Sequence, residues 1–325
     1  MIDLKTKYLG LELRNPIIVS SSGLTNSVEK IKKLEENGAG AVVLKSLFEE
    51  QITHEAGKLS ETSDYPEAED YVNFYVRNSS VNDYLKLIED VKKEVNIPVI
   101  ASINCVSSKE WIEFASKIQD AGADALEINI FYLPTNVDSK PEVYESIYFE
   151  LATKIKEYIS IPVAFKLGNN FTNLLRVVNQ LYIRQVKGVV LFNRFYAPDI
   201  DTLNKKMVSS EVFSSYADIR QSLRWVGIIS GRIDKIDIAA STGIHDGEAV
   251  VKQLLAGASA TQVCSVLYKN GAEYIKKMLA DVEQWMEKNN YSSIDEFKGK
   301  MSYKNIQDPT VYERAQFMKY FSNYQ

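Results

Sequence analysis

The chain has little cysteine, little histidine and no excess of basic residues. Its two cysteines among 325 residues, Cys105 and Cys264, are too few and too far apart for a disulfide framework or an iron–sulfur cluster. Its two histidines, His54 and His245, do not make a metal-ligand set, so no metal is expected. A formal net charge of −5, with no basic cluster, argues against a nucleic-acid partner. No apolar run approaches the roughly 18 residues of a membrane span, and the start, MIDLKTKYLG, does not read as a signal peptide. The expectation is a cytoplasmic protein with no integral membrane segment.

What is present is an ordinary globular composition, 45% hydrophobic and 25% charged, arranged as alternating strand and helix patterns. Short apolar runs at 17–21, 41–45, 99–103, 125–130, 163–167, 189–193, 236–240 and 260–263 read as buried strands. Helical patterns separate them. Such βα alternation implies parallel strands with right-handed crossovers. Eight units predict an α/β fold, a (β/α)8 TIM barrel, as one domain over residues 1–325. Residues 3–14 alternate around Gly10 and predict an N-terminal β-hairpin. Long connections, 46–79 and 194–217, follow the second and sixth strands. The competing architecture is a doubly wound open sheet, but the first turn, Ser20-Ser21-Ser22-Gly23, lacks GxGxxG.

In a barrel the chemistry sits at the C-terminal ends of the strands. Those ends carry Ser22-Gly23, Lys45-Ser46, Asn104-Cys105, Asn129, Lys166, Asn193, Ser241-Thr242-Gly243 and Cys264-Ser265. The last two turns are built of small residues, so their backbone N–H groups can approach a phosphate. The bland reading is two ordinary βα turns. Lysines closing apolar strands either meet an anion or snorkel to water. Asparagine amides offer a donor and an acceptor, which match the edge of a polar heterocycle. Cys105 reads as a small buried residue or as a reactive thiol. His245 lies beside the phosphate-type turn, where it can cap the next helix. Together the strand ends suit a planar, phosphorylated heterocycle. A Schiff-base lyase or aldolase using Lys166 fits the same turns.

The chain resembles the dihydroorotate dehydrogenase family in its soluble FMN-barrel branch. The resemblance covers nearly the whole length. It is carried by Asn15-Pro16 through Ser22-Gly23, Gly38 through Lys45-Ser46, Glu127-Ile128-Asn129-Ile130, Phe165-Lys166-Leu167, Asn193 and residues 241–299. It implies an FMN-dependent oxidoreductase of pyrimidine metabolism, acting on a C–C/C=C bond of a small, pyrimidine-like substrate. It also implies that Ser22, Gly23, Lys45, Asn129, Lys166, Asn193, Thr242, Gly243, Cys264 and Ser265 surround FMN. Lys166 or Lys45 would stabilise the reduced ring.

Departures from the family pattern fall on the substrate side. The soluble branch reads Asn-Leu-Ser-Cys-Pro-Asn after the fourth strand. Here Asn129-Ile130 is followed by Phe131-Tyr132-Leu133-Pro134-Thr135-Asn136. Tyr132 stands in place of the cysteine base. With an ordinary pKa of about 10, tyrosine is a poor base at neutral pH and a better proton donor. The competing reading of Tyr132 is a lid aromatic that only packs. The family's Asn-Ser-Met-Gly-Leu-Pro-Asn loop corresponds to residues 73–79, without its Gly-Leu-Pro turn. Asn73, Arg77 and Asn136 are the candidate substrate contacts, and a Gly-rich stretch gives way to Phe213-Ser214-Ser215. Weak or absent dihydroorotate oxidation is therefore expected. A non-catalytic relative that binds flavin or a nucleotide is a further reading. The expected partners are a small-molecule substrate and an electron partner of unassigned class, with a homodimer as candidate assembly.

Overall fold

The computed structural model describes residues 2–48, 68–104, 110–195 and 197–314, with the side chains of 48, 68–78 and 110–113 outside that description. The chain opens with a hairpin of β1 (Thr6–Tyr8) and β2 (Leu11–Leu13), paired Thr6 to Leu13 and Tyr8 to Leu11. Its two-residue turn, Leu9-Gly10, has positive φ at both positions, 57° and 79°, as the twist of a tight hairpin requires.

The barrel strands follow, beginning with β3 (Ile17–Val19) and β4 (Ala41–Val43). A short β5 (Leu47–Phe48) pairs with the upper end of β6 (Val99–Asn104). Then come β7 (Ala125–Asn129), β8 (Val163–Leu167) and β9 (Gly188–Leu191). An excursion of β10 (Pro198–Asp201) and β11 (Lys206–Ser209) precedes β12 (Asp237–Ser241) and β13 (Ala260–Val263). Each barrel strand pairs in parallel with the next, β4 pairs with β6, and β13 returns to β3 through Thr261–Ile17 and Val263–Val19. The result is a closed eight-stranded (β/α)8 barrel, as its strand–helix alternation predicts.

The outer layer comprises α1 (Val28–Glu36), α2 (Ala68–Glu94), α3 (Glu110–Asp120), α4 (Pro141–Tyr158), α5 (Leu174–Ile183), α6 (Ile219–Arg232), α7 (Gly247–Ala256), the short α8 (Ser265–Asn270) and α9 (Tyr274–Lys288). Local chemistry starts several of them. Asp246 caps α7 by accepting from Ala249 N at 2.8 Å, and Asn173 caps α5 by accepting from Arg176 N at 3.0 Å. Strand residues of one parity, such as Val42, Leu126, Phe165 and Ile238, pack outward against these helices.

Residues of the other parity fill the barrel in two layers. The lower layer is apolar and includes Ile18, Val43, Ile100, Ala125, Ala164 and Val190. The hairpin plugs it from below with Tyr8, Leu9 and Leu13. Gly188 opens the space for that plug, because a Cβ there would lie 2.5 Å from Leu9 Cδ2.

Two segments differ from the sequence expectation. Helix α2 runs back to Ala68, well inside the connection read as irregular. Asn78-Ser79-Ser80 looks like a break, since such residues compete for backbone hydrogen bonds, yet here they lie inside the helix. The stretch after β9 contains a regular hairpin, paired Pro198 to Ser209 and Asp201 to Lys206. Both its strands are exposed on nearly every residue, so no inward–outward alternation marks them in the sequence.

Candidate active site

The two-residue period that lays down the apolar lower layer also builds a polar layer one step above it. Ser20, Ser102, Glu127, Lys166, Ser241 and Gln262 lie in phase with Ile18, Ile100, Ala125, Ala164, Ala239 and Ala260. Lys166 is 6% exposed and Glu127 1% exposed, so a charge pair is sealed inside the barrel. Lys166 Nζ lies 3.7 Å from Glu127 Oε1. It donates to Ser20 Oγ at 3.1 Å and to Gln262 Oε1 at 3.4 Å. Gln262 Nε2 donates to Glu127 Oε2 at 2.5 Å, and Ser20 Oγ donates to Gln262 Oε1 at 3.0 Å. Burial pushes the Tyr8 hydroxyl well above its ordinary range, and the negative charges of Glu127 and Asp237 add to the shift.

Above this layer lies a cavity of about 360 Å³ at the C-terminal ends of the strands. That size falls within the roughly 300–1,000 Å³ of small-molecule sites. Lys166, Ser20 and Gln262 line it together with Asn193, the turn Ser241-Thr242-Gly243 after β12 and Cys264-Ser265 after β13. Asn193 Nδ2 donates to Asn129 Oδ1 at 2.8 Å, which ties two of the predicted amides to each other. Thr242 is held at φ 75°, a strained conformation for a β-branched residue, and its Oγ1 donates to Phe192 O at 3.1 Å. Gly243 follows at φ 80°, and a Cβ on it would lie 2.1 Å from Ile219 N. That glycine is therefore fixed by the backbone entering α6. Burial pushes the Cys264 thiol up, against a hydrogen bond with Ser22 and the nearby Lys166 charge.

Residues 211–214 pass over the same cavity. Ser214 anchors them. Its N–H donates to Ser265 Oγ at 3.0 Å, its carbonyl accepts from Lys269 Nζ at 3.1 Å, and its hydroxyl lies 3.0 Å from His245 Nε2. Arg194 NH2 donates to Glu211 O at 2.7 Å, and its NH1 donates to Val212 O. His245 is thus part of the clamp on this segment. Burial lowers its pKa, Lys269 lowers it further, and Asp246 opposes them.

The other predicted residues are distributed around this centre. Ser22 caps the turn Gly23–Thr25, accepting from Leu24 N at 3.2 Å, and Gly23 packs beneath Tyr268. Lys45 is exposed and lines a neighbouring depression of about 550 Å³ with Ser46 and Tyr84. Hydroxyls link that depression to the cavity: Ser21 Oγ lies 2.9 Å from Ser46 Oγ, which lies 2.7 Å from Ser102 Oγ. Tyr132 is half-buried, packs on the outer apolar core, and is absent from the described cavity lining. Its carbonyl accepts from Asn170 Nδ2 at 3.0 Å. Its neighbour Phe131 stacks on Phe195, with ring centroids 3.5 Å apart. Asn136 is exposed, and its Oδ1 accepts from Asp138 N at 3.0 Å. The side chains of Asn73 and Arg77, and residues His54 and Cys105, lie outside the description.

Glu127 and Gln262 are the participants that reading strand ends alone missed. The available signal was phase. Glu127 precedes Asn129 by two residues, and Gln262 precedes Cys264 by two, so each pair faces the same way. Among the described residues no cluster of three or more His, Cys, Asp or Glu forms a metal site. No described helix is long and apolar enough to cross a membrane.

Comparison with known proteins agrees over the full barrel. The dihydroorotate dehydrogenase family model matches residues 3–286. A Thermoplasma volcanium protein named dihydroorotate dehydrogenase B (NAD(+)), catalytic subunit, is 27% identical, over 92% of this chain and 98% of its own length. Proteins of the same name from Methanocaldococcus jannaschii and Pyrococcus abyssi are each 26% identical. They cover 88% and 91% of this chain, and 94% and 98% of their own lengths. The class defined by fold, cavity and similarity is the barrel oxidoreductase that uses FMN on CH–CH groups. Within that class, the chain belongs to the dihydroorotate dehydrogenase family.

Proposed function

We propose that FMN occupies the cavity above Lys166, with its phosphate at the turns after β12 and β13. The observation that carries this reading is a buried ammonium in the floor of a cavity rimmed by two small-residue turns. The donor set fits the group. Thr242-Gly243 and Cys264-Ser265 allow close backbone approach to a phosphate. The Asn129–Asn193 pair offers amide groups to a ring edge. Lys166 would supply positive charge beside the flavin, which favours its reduction. Bound FMN supplies two-electron exchange with a carbon–carbon bond of the substrate.

The chain's own residues orient this exchange. Ser214, clamped by Ser265, Lys269 and His245, holds residues 211–214 over the cavity and would narrow the path for water. The stacked Phe131 and Phe195 bring the loops after β7 and β9 together. Lys166 is held between Ser20, Gln262 and Glu127, and these contacts favour a charge-bearing role beside a flavin over attack on a carbonyl.

The substrate in this reading is small and pyrimidine-like, and reduction of its C=C bond is favoured over oxidation of dihydroorotate. The loop from Ile130 to Asn136 brings no thiol or serine toward the cavity, and Tyr132 packs on the core. A missing general base costs roughly 10²–10⁴-fold in rate. The test is anaerobic mixing of the flavin-loaded protein with dihydroorotate while the oxidised flavin band is followed. Slow or absent bleaching is expected. Bleaching at the rate of an enzyme with a cysteine base would reject the substrate assignment.

A further inference from the structure

Glu127 lies one layer below the cavity. It is almost fully enclosed, and among the described residues it accepts one hydrogen bond, from Gln262 to Oε2. Its other oxygen, Oε1, accepts no hydrogen bond among the described residues, and it faces Lys166 Nζ across 3.7 Å. An isolated carboxylate in such a place would be strongly disfavoured, and so would an isolated ammonium. Each is tolerable because the other is there. Gln262 fixes the arrangement. Its amide nitrogen meets the carboxylate and its amide oxygen meets the ammonium. The flipped amide would set donor against ammonium and acceptor against carboxylate, so one orientation is enforced.

Lys166 has three N–H donors. Ser20 and Gln262 take two of them, Glu127 Oε1 lies 3.7 Å away, and Lys166 lines the cavity.

We propose that Glu127, acting with Gln262, is a positioning residue for Lys166: it supplies the counter-charge that keeps this side chain an ammonium and leaves one N–H for whatever anionic group occupies the cavity. The inference builds on the FMN reading only for the identity of that group. The counter-charge claim concerns this chain alone.

The test has one arm without flavin chemistry and one with it. In the first, the purified protein is treated with acetic anhydride at fixed pH. Labelling of Lys166 is then read by peptide mass spectrometry, normalised to exposed Lys252. Only the neutral amine reacts. Glu127→Gln should raise the normalised rate roughly a thousandfold, enough to leave much of Lys166 uncharged near neutral pH, and Glu127→Asp should restore most of the protection. Equal rates in native protein and Glu127→Gln would overturn the proposal. Should Glu127→Gln fail to fold, Gln262→Met decides. It should raise the rate in the same direction by a smaller factor, and no change would overturn the proposal.

In the second arm, the flavin midpoint potential of Glu127→Gln should fall toward that of Lys166→Met. A rise would show that Lys166 stays charged without Glu127, and would overturn the proposal. If labelling responds to Glu127 while the potential ignores Lys166→Met, the counter-charge role stands and the flavin placement is what fails.

Discussion

Single residues in this barrel carry opposite kinds of burial. Lys166 and Glu127 are buried with partners, whereas the Tyr8 hydroxyl, fully enclosed at the base of the barrel, has none among the described residues. An unpaired buried hydroxyl costs roughly 1–3 kcal/mol in lost hydration. Tyr8→Phe keeps the ring that plugs the lower layer and removes that cost. The expected outcome in denaturant unfolding is unchanged or higher stability. A clear loss would mean that the hydroxyl has a partner. His245 makes a second prediction. Burial and Lys269 hold its folded-state pKa below the ordinary value of about 6.5. As pH falls past that value, the unfolded chain takes up a proton before the native imidazole does. The contribution of neutral His245 is therefore present above the unfolded pKa and is lost as pH falls through the folded one. Thermal unfolding between pH 7 and 5 should lose less stability in His245→Gln than in the native protein. Parallel curves would remove His245 from the clamp on Ser214.

At the scale of elements, what the sequence reveals depends on whether a strand has an inside. The barrel strands are short apolar runs ending in a lysine, an amide or small residues, so both their existence and their polar ends can be read directly. Lys166, Asn193, Thr242, Gly243, Cys264 and Ser265 line one cavity. Glu127 and Gln262 sit one step inside, and only the two-residue phase exposes them. Elements without a buried face escape this logic. The β10–β11 hairpin is solvated on both faces, and the start of α2 carries no clear apolar stripe. Lys45 shows the limit of reading a strand end alone. It stands in phase with Val43, yet its side chain emerges into the neighbouring depression.

The turn after β12 shows how packing changes the meaning of a glycine. In the sequence, Gly243 reads as room for a phosphate. In the structure, a Cβ at this position meets the backbone of Ile219 and Asp218, and φ is positive. Gly243→Ala should thus destabilise the fold by about 2–5 kcal/mol, from strain and overpacking together. Chemical denaturation measures it, and a neutral result would show that the start of α6 yields easily. A bulky acid at Gly243 would report on folding and ligand binding at once, so Ser265 is the better position for probing the phosphate.

At the scale of the whole molecule, one architecture accounts for both stability and chemistry. The lower barrel, plugged by the hairpin, is apolar. The upper barrel carries the Lys166–Glu127 pair, and the cavity rests on it. Family membership fixes the oxidoreductase class, and the loop after β7 carries Phe131 and Tyr132 and, from Ile130 to Asn136, no serine or cysteine. The measurement that tests the central claim most directly is FMN binding by the purified protein, read from flavin absorbance and fluorescence. One FMN per chain should bind, and Ser265→Glu, which sets a carboxylate against the phosphate, should weaken binding about a hundredfold in a folded protein. No flavin binding by the native chain, or undiminished binding in Ser265→Glu, would contradict the placement of FMN over Lys166.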